Sequence, residues 1–305
     1  MDKIAVLLSV YNGKAYLKEQ LDSLICQEGV QTEILIRDDG SSDESLQFLY
    51  DYSRNHDNIK VIKGDNVGSA HSFMELIYEI ASTNTSCDYF AFCDQDDVWM
   101  KDKLCSAVNI LKTQPEDKPS LYIGTYQMVD STLHPIPTVL KKPTINLPAA
   151  LAANSATGCT MVFNKALLEL LASKSPKDFI MHDYWAYLVC LSVGGYVYYD
   201  ETPHILYRQH DHNVIGGLGD SFVKKWCVRL AKLFRLGDCF KSKLASELLR
   251  CYSSMMDDDS IKFLQAAATC GRFSSKMRLL GNPQFRGKSL DNDIQNFALV
   301  ITGKF

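Results

Sequence analysis

The chain has 305 residues, of which 46% are hydrophobic and 22% charged, so it can bury a large core and is globular rather than disordered. Its formal net charge of -4 provides no whole-chain positive field to gather phosphates, which argues against nucleic acid as the main partner. The ten cysteines are scattered through apolar segments without a CxxC pair, a pattern typical of small buried side chains in a reducing cytosol.

The chain is expected to be soluble or peripheral to a membrane. The apolar stretch 4–10 has neither a basic flank nor a cleavage site, so it does not indicate a signal peptide. No apolar run reaches the roughly 18 to 20 residues that a membrane-spanning helix needs. We therefore expect a cytoplasmic protein, either in solution or at the inner face of the cell membrane.

Apolar strands alternate with amphipathic helices along the first half of the chain. The pattern predicts four strands, at 4–9, 33–37, 59–63 and 89–93, each followed by a helical segment. Strands that are apolar throughout and alternate with helices predict a mostly parallel, doubly wound sheet of the Rossmann-like α/β class.

Each of these strands ends in a short polar turn. The turns are Tyr11-Asn12-Gly13, Asp38-Asp39-Gly40, Asp65-Asn66-Val67-Gly68 and Asp94-Gln95-Asp96-Asp97. In a parallel sheet ligands bind outside the carboxyl ends of the strands, and all four turns fall at that edge. We therefore expect the four turns to form one shared site.

The fourth turn places three carboxylates, Asp94, Asp96 and Asp97, within four residues. Grouped carboxylates repel one another and are costly to desolvate, so a fold that holds them at a sheet edge favours a bound cation. The pattern indicates a divalent metal that grips a phosphate. A solvated acidic turn is the alternative.

The chain resembles the family 2 glycosyltransferases of the GT-A fold, and among them the bacterial branch that often carries rhamnosyltransferases. The resemblance lies in the motifs LLSVYNGKAYLKEQLDSLICQ, IRDDGSSDES, GDNVGSAHSF and FCDQDDVWMKDKL, and it covers residues 3 to about 213. It implies a GT-A catalytic domain at 1–219, with a nucleotide-sugar half at 1–115 and an acceptor half at 116–219. A helical C-terminal extension follows at 220–305.

The resemblance implies a binding site for a nucleotide-sugar donor. Asp39 would meet the base, Asp94 the ribose or the water shell of the metal, and Asp96 would bind Mg or Mn against the diphosphate. The implied donor-binding set is Ser9, Tyr11, Asn12, Asp39, Asn66, Asp94, Gln95 and Arg208. Asp97 is expected to cap or charge the first turn of the next helix, and Trp99 to pack in the core.

The second half carries the acceptor side of the same resemblance. Asp183, at the start of a predicted helix, would be the catalytic base that takes the proton of the acceptor hydroxyl as its oxygen attacks the anomeric carbon. The alternative role for Asp183 is a helix cap. In the segment 207–213, Arg208 would offset the charge of the leaving diphosphate, and His210 would be a further metal ligand.

Beyond residue 220 the composition changes. Basic side chains surround an apolar stripe at 222–236, which predicts either contact with an anionic membrane through 222–250 or a helix packed on the catalytic domain with a solvated basic face. Membrane contact would suit a lipid-linked saccharide acceptor. Further helices are predicted at 245–256 and 261–268.

The expected function is inverting, metal-dependent transfer of a sugar from dTDP-rhamnose or a UDP-hexose to a glycan in cell-surface polysaccharide biosynthesis. Two alternatives stay open. An aspartate-dependent phosphohydrolase also places a DxD motif at a strand end, although on the first strand rather than the fourth. The other alternative is a non-catalytic nucleotide-sugar-binding module, against which Asp183 and the His210 segment count.

Overall fold

The computed structural model describes residues 1–83, 85–137, 140, 142–209, 239–287 and 289–305. The strands assigned in these residues form one sheet of eight. They are β1 (Asp2–Val10), β2 (Val30–Asp38), β3 (Ile59–Lys63), β4 (Tyr89–Cys93), β5 (Val98–Trp99), β6 (Ser120–Val129), β7 (Met161–Asn164) and β8 (Tyr196–Arg208). Their spatial order is β3-β2-β1-β4-β7-β6-β8-β5. The expected α/β sheet is thus confirmed, and the predicted bounds of β3 and β4 are those observed.

The first half of the sheet is parallel. Strand β1 pairs with β2 on one side and with β4 on the other, and β2 pairs with β3. The register sets Val10 opposite Asp38 and Leu8 opposite Cys93, so β1, β2 and β4 end at the same edge. The four polar turns therefore share one edge, as expected.

The second half of the sheet is mixed. Strand β7 runs antiparallel between β4 and β6, β6 is parallel to β8, and the two-residue β5 pairs with the end of β8. The pairing of Val98 with Leu206 carries the end of β8 across the turn that follows β4. It brings Arg208 beside Asp97, although 111 residues separate the two in the chain.

Helices cover both faces of the sheet. The helices of the catalytic part are α1 (Lys14–Ile25), α2 (Ser45–Ser53), α3 (Ser69–Ser82), α4 (Lys103–Leu111), α5 (Leu147–Ala152), α6 (Lys165–Ala172) and α7 (His182–Ser192). Leu7 belongs to the core on the α3, α6 and α7 side, whereas Val6 and Leu8 belong to the core beneath α1 and α4. Strand β1 is buried on both faces, which explains why it is apolar at every central position.

In the described residues from 239 onward, four α-helices follow: α8 (Phe240–Tyr252), α9 (Asp258–Ala268), α10 (Phe273–Leu280) and α11 (Leu290–Thr302). Helices were predicted over much of α8 and α9. The apolar side of α8 is buried in the same core as α7, with the rings of Trp185 and Tyr252 6.1 Å apart. This packing leaves α8 no apolar side for lipid.

The predicted domain boundary at 219/220 and the basic segment 222–236 lie outside the described residues. Within the described ranges, no helix combines the length and the hydropathy that crossing a bilayer requires.

Candidate active site

The turns after β1 and β4 are joined by a reciprocal pair of hydrogen bonds. The backbone N–H of Tyr11 donates to Gln95 Oε1 at 2.8 Å, and Gln95 Nε2 donates back to the carbonyl of Tyr11 at 3.1 Å. Asn12, which has a left-handed φ of 51°, accepts the N–H of Ser42 at 2.8 Å. The three turns after β1, β2 and β4 are thereby tied into one surface, which includes the predicted Tyr11, Asn12 and Gln95.

The carboxylate of Asp39 is buried and supplied with donors by the protein itself. It forms an ion pair with Arg37 and accepts the N–H groups of Val67 at 3.1 Å and Gly68 at 2.9 Å. Gly40 has a φ of +75°, and a Cβ there would lie 2.9 Å from the backbone nitrogen of Asn66. The turn after β3 therefore docks closely on the turn after β2.

Ser9, at the end of β1, is partly buried. Its hydroxyl donates to Ser72 Oγ at 2.7 Å, and the same oxygen accepts Arg37 Nη1 at 3.1 Å. Ser9 thus contacts Ser72, which also accepts a hydrogen bond from Arg37 of the Arg37–Asp39 ion pair. The predicted contacts of Ser9, Asn12, Asp39 and Asn66 with a nucleotide stay predictions.

Behind the acidic turn lies a cluster of three side chains that could hold a metal. One ligand atom each from Asp94, Asp97 and Cys159 lies within 4.8 Å of the other two. Asp97 is fully buried, and within the described part of the chain its Oδ2 atom has no hydrogen-bond partner. Burial, together with the charges of Asp96 and Asp94, raises the pKa of Asp97 well above its usual value. An orphaned buried carboxylate oxygen fits a hard divalent cation.

Asp94 belongs to this cluster, and Asp96 lies close enough for its charge to act on Asp94 and Asp97. Burial first, and then the charges of Asp96 and Asp183, raise the pKa of Asp94 to about 7. The predicted metal ligand Asp96 and the predicted base Asp183 are therefore close enough to the predicted ribose partner Asp94 for their charges to act on it.

The expectation that Asp97 caps the following helix is wrong. The N-cap position of α4 belongs to Asp102, because the short strand β5 lies between the acidic turn and the helix. Asp97 instead accepts the backbone N–H of Arg208 at 3.1 Å through Oδ1. The expectation that Trp99 packs in the core is confirmed, since it is buried.

Lys103 is a site-adjacent residue that the sequence did not single out. It is fully buried, its Nζ lies 3.3 Å from the centroid of the Trp99 ring, and burial lowers its pKa to about 8. Asp97 and Cys159 lie near enough to oppose that shift. Lys103 lies on the buried side of α4 with Leu104 and Ala107. A lysine on the apolar side of a helix is unusual, and this is the feature of the sequence that could have indicated a functional role.

Arg208 braces the acidic turn from inside the protein. Its Nε donates to the carbonyl of Asp96 at 2.9 Å, and its guanidinium pairs with Glu19 and lies 4.9 Å from the ring centroid of Tyr16. Because the side chain is buried, contact with a diphosphate would need these bonds to rearrange. That predicted contact stays a prediction, and the predicted metal ligand His210 lies outside the described residues.

Asp183 is the second residue of α7 and is nearly buried. Its Oδ2 accepts the N–H of Gly158 at 3.0 Å and its Oδ1 accepts the N–H of Tyr184 at 2.6 Å. The N-cap position belongs to Met181, so Asp183 is not the cap residue, although its charge lies in the favourable first turn. Two backbone N–H groups fix the orientation of this carboxylate.

His182 helps to fix the same loop. Its ring stacks on Phe73 with centroids 3.7 Å apart and meets the edge of Phe92 at 4.7 Å. Burial lowers its pKa to about 3, so the ring is neutral. A Cβ on Gly158 would lie 2.8 Å from His182 Nε2, so glycine is required where the loop donates to Asp183.

A cavity of about 360 Å³ opens beside this loop. Its polar and aromatic lining includes Thr125, Tyr126, Lys142, Ser155, Thr157, Tyr199 and Arg286. Among the described residues the buried hydroxyl of Thr125 has no hydrogen-bond partner, and Thr157 directly precedes Gly158. Aromatic rings and free hydroxyls of this kind suit a saccharide.

Solved structures with the same architecture include glycosyltransferases. The fold is similar to that of S. aureus TarS in complex with UDP-GlcNAc, with a TM-score of 0.55, 17% identity, and coverage of 99% of this chain and 91% of that chain. It is also similar to the mannosyltransferase PcManGT from Pyrobaculum calidifontis in complex with GDP-Man and Mn2+, with a TM-score of 0.52, 15% identity, and coverage of 99% and 86%. The fold is the GT-A type.

Sequence relatives agree with this class. The chain is 28% identical over 264 residues to the dTDP-rhamnosyl transferase RfbG of Shigella flexneri, covering 83% of this chain and 86% of the relative. It is 26% identical over 214 residues to the uncharacterized glycosyltransferase RT0329 of Rickettsia typhi, covering 68% and 64%. The model of glycosyl transferase family 2 matches residues 5–171, more than half of the chain, so the chain belongs to this family and is a glycosyltransferase.

Proposed function

We propose that the protein is an inverting, metal-dependent glycosyltransferase that moves a sugar from a nucleotide diphosphate to a saccharide acceptor of cell-surface polysaccharide biosynthesis. One observation carries the proposal: Gly158 donates its N–H to Asp183, and the ligand atom of the next residue, Cys159, lies within 4.8 Å of those of Asp94 and Asp97 at the edge where the four polar turns meet. A nucleotide-sugar at this edge would meet acids for its metal on one side and a base for the acceptor on the other.

The donor half of the site rests on the turns after β1, β2 and β3. Asp39 uses three donors of the protein and keeps acceptor capacity for a ring N–H of the base, since a carboxylate offers about four lone-pair sites. Tyr11 is exposed beside it and is available to the nucleotide. The similarity to a dTDP-rhamnosyl transferase favours dTDP-rhamnose as the donor, with UDP-hexoses as competitors.

The metal would be Mg or Mn, held by Asp96 and Asp94 in front of the buried Asp97. When bound, the ion would neutralise the charge that develops on the departing nucleoside diphosphate. The chain itself holds the acids in place. The Arg208 side chain donates to the carbonyl of Asp96, the backbone N–H of Arg208 donates to the carboxylate of Asp97, and Lys103 provides a buried positive charge near Asp97.

Asp183 is the proposed base. Its carboxylate is oriented by the N–H groups of Gly158 and Tyr184, and the cavity beside Thr157 would present the acceptor to it. The acceptor hydroxyl would give its proton to this carboxylate as its oxygen attacks the anomeric carbon. Asp183→Asn should keep donor binding and lower transfer by about 10²- to 10⁴-fold.

The experiment is a thermal-shift and transfer screen across UDP-, dTDP- and GDP-sugars with Mn or Mg and with EDTA. Nucleoside diphosphates should raise the melting temperature only with metal. Asp178→Asn, which alters an exposed acid just before α7, is the matched control and should transfer normally. Full transfer by Asp183→Asn would remove that residue as the base. Release of phosphate from simple phosphoesters would favour the phosphohydrolase, and binding without turnover would favour a non-catalytic module.

A further inference from the structure

The cavity beside Thr157 differs in charge from the rest of the molecule. Lys142 and Arg286 line this cavity of about 360 Å³, and among the described residues no Asp or Glu lines it. The cavity at the opposite edge of the sheet has the reverse pattern, since five carboxylates and two lysines line it. The whole chain has a formal net charge of -4, so a cavity of this composition is a local feature. It favours an anionic ligand over a cationic one.

Arg286 has donors left for such a ligand. Its side chain is exposed, and its Nη1 donates to the carbonyl of Phe285 at 3.0 Å. Within the described ranges it forms no ion pair. A guanidinium offers five N–H donors in a planar fork, so most of them stay available to a carboxylate or a phosphate.

Two carboxylates lie next to the cavity without lining it. Glu201 Oε1 pairs with Lys142 Nζ at 2.8 Å, but both side chains are largely exposed, at 65% and 61%. Exposed ion pairs are weak, so an anionic ligand can take the place of Glu201. Asp293, in α11, accepts the backbone N–H of Gly287 and so fixes the loop next to Arg286. The cavity thus has one unpaired and one weakly paired cation.

The cavity also offers hydroxyl groups, which can donate to an anion as well as to a sugar. The buried Oγ1 of Thr125 has no hydrogen-bond partner in the described part of the chain. Burial raises the pKa of Tyr126 and of Tyr199, so both phenols stay protonated. The volume lies within the range of about 300 to 1,000 Å³ that is usual for small-ligand pockets. Cations and neutral hydroxyls together suit a saccharide that carries an acid group.

The cavity lies next to the proposed base. Thr157 lines it, and the following residue, Gly158, donates its N–H to Asp183. A saccharide that reaches Asp183 through this cavity therefore also meets Lys142 and Arg286. Because Arg286 comes from the loop between α10 and α11, the C-terminal helices contribute a charged group to the acceptor side.

We propose that the saccharide acceptor is anionic, and that Arg286 and Lys142 bind a carboxylate or phosphate group on one of its sugars. The forked N–H groups of Arg286 would select such an acceptor over a neutral one. The inference deepens the proposed function and rests on it for the role of the saccharide as acceptor. Saccharide binding can be measured without transfer, so the two can fail separately.

The test compares three probes by isothermal titration calorimetry, with and without dTDP and Mn. The probes are cellobiose, cellobiouronic acid, which differs by one carboxylate, and cellobiose phosphorylated on one sugar. The wild type should bind at least one anionic probe about tenfold or more tightly than cellobiose. This preference should shrink as salt rises from about 0.1 M to about 1 M, because charges are then screened. The tighter of the two anionic probes identifies the acid group.

Substitution of Arg286 should remove most of the preference. Arg286→Gln should weaken binding of the preferred anionic probe about tenfold and leave binding of cellobiose within about twofold. Arg286→Lys, which keeps the charge but loses the fork, should be intermediate. Lys142→Gln should have a smaller effect than Arg286→Gln, because Lys142 already pairs with Glu201.

The matched control is Arg278→Gln. Arg278 is an exposed arginine of α10 that does not line the cavity, so this variant loses the same charge and should bind all three probes like the wild type. Melting temperature and near-UV circular dichroism check that every variant is folded.

Three outcomes would overturn the proposal. The wild type could bind no probe, it could bind cellobiose as tightly as both anionic probes, or Arg286→Gln could keep the full preference. If the anionic preference holds but nucleoside diphosphates do not bind with metal, the proposed function fails and the anion site stands. If nucleoside diphosphates bind and the preference is absent, the reverse is true.

Discussion

Two acidic turns flank the end of β1, and they differ in how many hydrogen-bond donors the protein supplies to their carboxylates. Asp39, after β2, accepts from Arg37, Val67 and Gly68. Asp97, after β4, accepts one backbone N–H and keeps a buried oxygen without a described partner. In the first turn the chain itself supplies a cation and two N–H donors to the carboxylate. In the second turn, burial and neighbouring carboxylates raise the pKa of Asp94 and of Asp97, so a cation from outside would favour their ionised forms.

The largest expected effect tests the second turn directly. Asp96→Ala should lower transfer by about 10²- to 10³-fold, because the stabilisation of the departing diphosphate is lost. The same variant should lose the metal-dependent rise in melting temperature with nucleoside diphosphates. Asp117→Ala, which removes an exposed acid at the opposite edge of the sheet, is the control. If Asp96→Ala still binds nucleoside diphosphates in a metal-dependent way, acids other than Asp96 hold the metal.

Substitution in the first turn should lower the stability of the protein. Asp39→Asn leaves the buried Arg37 without its ionised partner, so the free energy of unfolding should fall by about 3 kcal/mol. Urea denaturation of the variant and the wild type measures the difference. A loss below about 1 kcal/mol would mean that Ser72 and the carbonyl of Asp65 suffice for Arg37.

His182, whose ring meets the edge of Phe92 of β4, should make an acid-sensitive contribution to stability, opposite in sign to that of Asp94, whose pKa is raised. Its folded-state pKa is about 3 and its unfolded value is 6.5, so the unfolded chain binds the extra proton as the pH falls below 6.5. Between pH 7.5 and 5 the wild type should lose about 2 kcal/mol of stability on this account.

His182→Leu should remove that part of the pH dependence, as measured by urea denaturation at both pH values. His134→Leu, which alters an exposed histidine, should keep it. If both variants lose stability with acid as the wild type does, another group is responsible.

The smallest expected change in stability is that of Asp97→Asn, and it contrasts with the loss expected for Asp39→Asn. Asp97→Asn keeps the acceptor for the N–H of Arg208 and removes a buried carboxylate, so stability should stay within about 1 kcal/mol of wild type or rise. Metal-dependent donor binding should weaken in the same variant. A strongly destabilised Asp97→Asn would show that the charge of Asp97 supports the fold, through Lys103 for example.

Several features followed from the sequence alone. Strands β3 and β4 have the predicted bounds, because short apolar runs ending in Gly, Asp and Asn carry their own start and stop signals. The meeting of the four turns also followed, since parallel strands must end at one edge. Asp183 was found at the predicted start of a helix.

Only the tertiary structure decided what surrounds the acids. Cys159 reaches the acidic turn from the short turn before β7, and Arg208 reaches it from the end of β8. Lys103 turns inward beneath it, over the ring of the buried Trp99. The role of Asp97 was mispredicted for the same reason. Periodicity reports which residues are buried, but it does not report which buried groups from distant strands become neighbours, and that neighbourhood decides whether a carboxylate caps a helix, braces a turn or holds a cation.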